Sequence, residues 1–160
     1  MRSHAAIPLA LALVTAPLGA AVTSTLDFHI AYTGAGCDSN GGPAPILLTM
    51  QAYEKGAEVD LSFPGYPGSL EMNDPLTLIV GLTNPQIDLA PIGIPGGTLL
   101  ASPDVVVPMS PAGLGAAAYG EISIPNSPSM VGLVFFAQII QFKASPYHLG
   151  LSDGLMITVI

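Results

Sequence analysis

Apolar and polar positions alternate along much of this chain, most regularly from Val22 to Tyr32, where apolar residues fall at 26, 28, 30 and 32 with polar or small ones between. A period of two sends successive side chains to opposite faces, so this stretch predicts a half-buried strand. Ile46 to Tyr53 is apolar enough for a core strand. Val59, Leu61 and Phe63 alternate again after Glu54-Lys55-Gly56, which fits a hairpin turn. Leu76 to Leu82, Val105 to Val107 and Ala116 to Ile124 predict further strands, and Leu155 to Ile160 a terminal one with no further domain after it. Val131 to Phe142 is uncharged throughout, and its Val, Phe and Ile content favours a strand buried on both faces. A helix is the alternative there, and it would bring Gln138 and Gln141 onto one side.

Breakers divide these segments. Thr33 to Pro45 holds four glycines, two prolines, Asp38 and Asn40 and predicts a loop. Phe63-Pro64-Gly65-Tyr66-Pro67-Gly68 is expected to interrupt the chain. Prolines at 85, 91 and 95 exclude an ordinary helix between Thr83 and Leu100, because each removes an amide donor and restricts its predecessor, so short edge pieces are expected. The sum is an all-β fold, an antiparallel β-sandwich or jelly roll of roughly nine short strands.

Half of the 160 residues are hydrophobic, enough for a core, while only 9% are charged. Three Lys and Arg against eleven Asp and Glu, a net charge of −8, argue against nucleic acid and anionic membranes as partners, since both are bound through cationic side chains. Arg2 and His4, the apolar run Ala5 to Ala16 and the small residues Gly19-Ala20-Ala21 make residues 1–21 a secretory signal. The apolar run is short for a span of ~20 residues. Residues 22–160 are then one domain with no transmembrane span, located outside the cell or on its surface. Cys37 is the single cysteine, so its thiol is either buried or pairs between chains.

Gly34-Ala35-Gly36-Cys37 with Ser39 and Gly42-Pro43, Gln86-Ile87-Asp88-Leu89 followed by Gly93-Ile94-Pro95-Gly96, Ile124-Pro125-Asn126, Gly132 with Phe136 and Gln138, and the closing Gly150-Leu151-Ser152-Asp153-Gly154-Leu155 together carry a resemblance. The chain resembles a secreted Gly/Pro-rich β-sandwich domain recurrent in planctomycetes and other environmental bacteria, over nearly all of residues 22–160. The resemblance implies fold and location and no chemistry. Members often carry a cysteine directly after the middle Pro-Gly, suited to a disulfide with the first cysteine. Here that position is Gly97.

Candidate chemistry is sparse. His29 sits on the polar phase of the first strand and is expected to face solvent. His148 follows Ser145-Pro146-Tyr147 near Ser152 and Asp153, the residue types of a hydrolytic triad, but no Gly-x-Ser-x-Gly turn presents a nucleophile. Glu54, Glu58, Asp60, Asp74, Asp88 and Asp104 are scattered, and loop carboxylates of this kind are expected to be solvated. Asp38-Ser39-Asn40-Gly41-Gly42 alternates oxygen ligands as a Ca²⁺ loop would, with Asp38 and Asn40 the ligands, but lacks a bidentate Glu. Tyr66 and Tyr147, each beside a proline, are candidates for stacking on a glycan, or for packing over the proline rings. The expectation is a non-enzymatic structural, matrix or cell-surface building block with self-assembly left open, contacting itself or other surface proteins and needing no cofactor. A glycan- or Ca²⁺-binding module is the alternative, and an unrecognised hydrolase the residue.

Overall fold

The computed structural model describes residues 26–38, 46–67, 75–111, 118–144 and 147–160. Within them the chain is all-β. Every strand pairing is antiparallel, and the two helical pieces, Ala90–Ile92 and Pro128–Met130, are single 3-10 turns opened by Pro91 and Pro128. The strands are β1 (Phe28–Gly34), β2 (Cys37–Asp38), β3 (Ile46–Leu48), β4 (Gln51–Lys55), β5 (Glu58–Pro67), β6 (Leu76–Gly81), β7 (Ile87–Asp88), β8 (Thr98–Leu99), β9 (Val105–Pro108), β10 (Ser110–Pro111), β11 (Ala118–Pro125), β12 (Val134–Ala144), β13 (Tyr147–Leu151) and β14 (Gly154–Val159).

Several of these are pieces of one lane. β12 is the centre of the larger sheet, with β6 and then β9 on one side. On its other side β14 pairs with its first half and β13 with its second. Between Ala137↔Leu155 and Ile140↔Leu151 the outer lane has one residue more than β12, a β-bulge at Ser152-Asp153. β1 and β2 likewise follow one another along β14 and β13, so the sheet is five lanes wide. In the smaller sheet β3 and β4 lie end to end along β5, followed by β11 and β10, giving four lanes. The two sheets thus comprise nine lanes built from twelve segments, and β7 with β8 forms a separate two-stranded ribbon, so the fourteen strands among the described residues exceed the expected count of about nine.

The cuts have local causes. Ile46 to Tyr53, expected as one core strand, is interrupted at Thr49 and Met50. Thr49 N–H reaches Pro64 O at 3.5 Å, and proline has no N–H to return the bond. Leu48 of β3 is buried, but β4 is exposed along its whole length, a correction to the core-strand expectation. Phe63 to Pro67 does not break the chain as expected; it is the second half of β5. Pro64 turns its missing donor toward the interrupted edge lane rather than toward β11, and Pro67 lies beyond the last pairing with β11, Gly65↔Ala118. Gly56, at φ +65°, opens a two-residue turn between Lys55 and Glu58, as the sequence predicts.

Facing side chains of both sheets meet in one apolar cluster. Leu48, Val59, Leu61, Phe63, Ala118 and Ile124 come from the smaller sheet, while Leu78, Val80, Phe135, Ala137, Ile139, Leu155, Ile157 and Val159 come from the larger. Of the run 131–142, residues from Val134 onward form the central strand β12 rather than a helix, while Val131 and Gly132 make a turn, so Gln138 and Gln141 point to opposite faces. The segment 98–104 lies on the outer face of the larger sheet and closes tightly at its end: a Cβ on Gly81 would stand 2.0 Å from the Ser102 carbonyl oxygen. A second, small cluster of Cys37, Ile94 and Leu151 sits beside the main one.

Candidate functional site

The bulge at Ser152-Asp153 carries the strongest polar chemistry of the described residues. A bulge leaves backbone groups on both neighbouring lanes without ladder partners. Ser152 Oγ accepts the Ile139 N–H at 2.7 Å on one side and donates to the Asp153 carbonyl at 2.8 Å. Asp153 Oδ1 accepts the Gly36 N–H at 2.7 Å on the other side. Gln138 completes the stitch: Oε1 accepts the Leu100 N–H at 2.9 Å, and Nε2 donates to the carbonyls of Ser152 and Thr98 at 3.0 and 3.1 Å. Ser152 and Gln138 are fully buried. With its oxygen committed to the backbone on both counts, Ser152 holds strands together.

Each residue singled out in the sequence falls in a definite place. Cys37 is buried against Ile94 and Leu151. Asp38 belongs to β2, opposite Gly150, and Asn40 lies outside the described residues, as does Asp74. No group of three or more His, Cys, Asp or Glu residues gathers among the described residues. Tyr66 lies in β5 of the smaller sheet and Tyr147 in β13 of the larger, so the fold separates the two stacking candidates. His29 faces solvent as its phase predicts, and His148 stands opposite Lys143 in the register of β13 with β12.

Asp60, Asp88 and Asp104 are engaged rather than merely solvated, which corrects the sequence expectation for these three, while Glu54 and Glu58 are exposed. Asp88 caps the Ala90 N–H at 2.9 Å. Asp104 accepts the Leu82 N–H at 2.8 Å and the Ser102 hydroxyl at 2.9 Å, and these two bonds, the backbone one foremost, hold its carboxyl below the usual carboxylate range. Asp60 pairs with Lys55 across the β4–β5 hairpin and accepts the Ser123 hydroxyl at 2.6 Å. Lys55 first and Ser123 second lower the Asp60 pKa, and the same contact raises that of Lys55. The Asp88–Ala90 and Asp104–Ser102 contacts are local, whereas Asp104–Leu82 and Asp60–Ser123 need a partner brought from a distant part of the chain, which composition cannot announce.

The remaining distinctive surface is at the sheet borders. Ile30 and Tyr32 on β1 are 37% and 62% exposed, and Val105 and Val106 on β9 are 48% and 56% exposed. β1 and β9 are the two lateral lanes of the larger sheet. Ile30 and Tyr32 share the phase of the buried Leu26 and half-buried Phe28, which pack in the main apolar cluster, but are themselves exposed, so the expected half-burial fades along the strand. Near the opposite border a groove of about 430 Å³ is lined by Val107, Pro108, Tyr119 and Glu121. No helix among the described residues is long and apolar enough to cross a membrane. Compared with known proteins, the chain matches no family model, no curated protein and no solved structure, so its assignment rests on its own residues.

Proposed function

We propose that this chain is a secreted, non-enzymatic building block of a cell surface or extracellular matrix, its two sheets forming an antiparallel sandwich of the jelly-roll kind. The observation that supports it is the placement of Ile30, Tyr32, Val105 and Val106 on the lateral lanes of one sheet. Uncovered apolar side chains at sheet borders are contact surfaces, because the strand edge beside them also offers backbone hydrogen bonds. Export through the leader at 1–21 and a place in the secreted domain recurrent in planctomycetes are part of the same proposal and rest on the sequence motifs. Light scattering of the exported protein tests it, with intact mass fixing the N-terminus. The expected result is a mass starting at Val22 and an associated species whose size is unchanged by Ca²⁺ and by reductant. A monomer under all conditions sinks the building-block reading.

The groove beside Tyr119 favours one second reading, a glycan-binding module, because an exposed tyrosine ring next to a carboxylate offers both a stacking face and hydroxyl acceptors. Here Tyr119→Ala is expected to abolish retention on a polysaccharide column while leaving the melting temperature unchanged. Equal retention of the variant removes that reading.

A further inference from the structure

We infer that β1 is a self-pairing edge through which two copies of this chain form a two-fold dimer with one continuous sheet; the inference rests on the building-block reading and names its contact. Asp27 and Ile160 exchange both backbone hydrogen bonds, at 3.0 and 2.8 Å. In an antiparallel ladder such pairs alternate with pairs whose N–H and C=O point away. With the register Phe28↔Val159 to Tyr32↔Leu155, the groups of Phe28, Ile30 and Tyr32 therefore point outward from the sheet. No strand covers them among the described residues.

Apart from β3, only three residues long, the other borders of the two large sheets are guarded and this one is not. β9 is anchored by the Met109 N–H to Leu76 O bond, so its outward positions are Val106 and Pro108, and proline offers no donor. β4 carries Glu54 and Lys55, and β10 contains Pro111. β1 runs seven residues without Pro, Lys, Arg, Asp or Glu. In a molecule of net charge −8, that neutral edge is where a second copy meets least repulsion.

The edge is also complementary to itself. An antiparallel pairing centred on Ile30 sets Ile30 against Ile30 of the second copy and Phe28 against Tyr32, and each outward residue exchanges both bonds with its partner. All three side chains stand on the same face, so the pairing joins two apolar ledges and two aromatic pairs of the kind that stabilise sheets. Because β9 is blunted, β1 joins only to β1 and the association closes at two. One strand edge falls short of the ~800 Å² per partner typical of stable complexes, so the dimer depends on concentration.

Sedimentation velocity over a concentration series, with hydrogen exchange of the wild-type protein at the ends of that series, tests the inference. The dimer is expected to grow with concentration, with slower exchange at the amides of Phe28, Ile30 and Tyr32. Ile30→Lys should weaken association about tenfold or more, whereas Val106→Lys should leave it unchanged. If Ile30→Lys fails to fold, the wild-type exchange result decides alone. Association that persists in a folded Ile30→Lys variant, or that leaves those three amides exchanging freely, overturns the β1 contact and spares the building-block reading. Monomer throughout, up to about 1 mM, overturns both.

Discussion

Gln138 and Gln141 lie three residues apart on the central strand, and both side chains are fully buried. Gln138 satisfies three backbone groups, whereas among the described residues neither amide atom of Gln141 has a hydrogen-bond partner. An unpaired buried amide costs more than an apolar group of the same shape, and removing a paired one strands its partners. Gln138→Leu is therefore expected to destabilise by about 3 kcal/mol and Gln141→Leu to stabilise by about 1 kcal/mol or more, read from urea midpoints at unchanged slope. A Gln141→Leu variant less stable than the parent would mean that the amide meets a partner in solution. The carboxylates make a second residue-scale prediction. The folded pKa values of Asp60 and Asp104 lie below their unfolded values. Their contribution is thus full above the ordinary carboxylate range and is lost as pH falls through the folded values. Asp104→Asn should flatten the acid limb of the stability curve, and an acid limb identical to that of the parent refutes the role of the Leu82 and Ser102 contacts. The alternation of Val59, Leu61 and Phe63 was legible, because burial follows strand phase. The tasks of Gln138 and Ser152 were not, since a lone polar residue in an apolar run shows that a partner is needed without showing which.

At the scale of elements, prolines act by where their missing donor points. Pro64 keeps β5 intact because that donor faces the edge lane, and it cuts that lane into β3 and β4. Pro64→Val is expected to let residue 64 donate to Thr49, fusing the two pieces and adding about 1 kcal/mol. A protected amide at position 64 in hydrogen exchange reports the new bond. Rapid exchange there, with stability unchanged, would show that the gap has another cause. The Phe63 to Pro67 segment was misjudged from sequence for this reason: proline content is visible, but the side of the strand on which a donor is dispensable is a property of pairing. The Gly56 turn was legible because two residues between paired strands leave few backbone solutions.

For the whole molecule, the second apolar cluster joins distant parts of the chain. Cys37 contacts Ile94 and Leu151, and a Cβ added at Gly97 would meet those same side chains, at 2.6 and 3.1 Å. Gly97, the position that the proposed resemblance matches to a second cysteine, therefore borders the pocket of Cys37. Gly97→Cys, combined with Ile94→Ala to relieve the closer contact, is expected to form an intramolecular disulfide with Cys37. The bond is recognised by loss of both titratable thiols and by a melting point above that of Ile94→Ala alone. Two thiols still titratable after oxidation of the folded double variant would count against the resemblance. The chain by itself determined the all-β class, the antiparallel habit and the strand within the uncharged run 131–142, because strand period, proline and glycine are local and act wherever they occur. Only the tertiary structure decided that twelve of the fourteen described segments share nine lanes, that Tyr66 and Tyr147 part to different sheets, that Ser152 serves a bulge, and that Ile30 and Tyr32 emerge at a border no described strand covers. Those outcomes depend on which strand lies alongside which, and lane neighbours here are separated by up to the length of the chain, as β1 and β14 are.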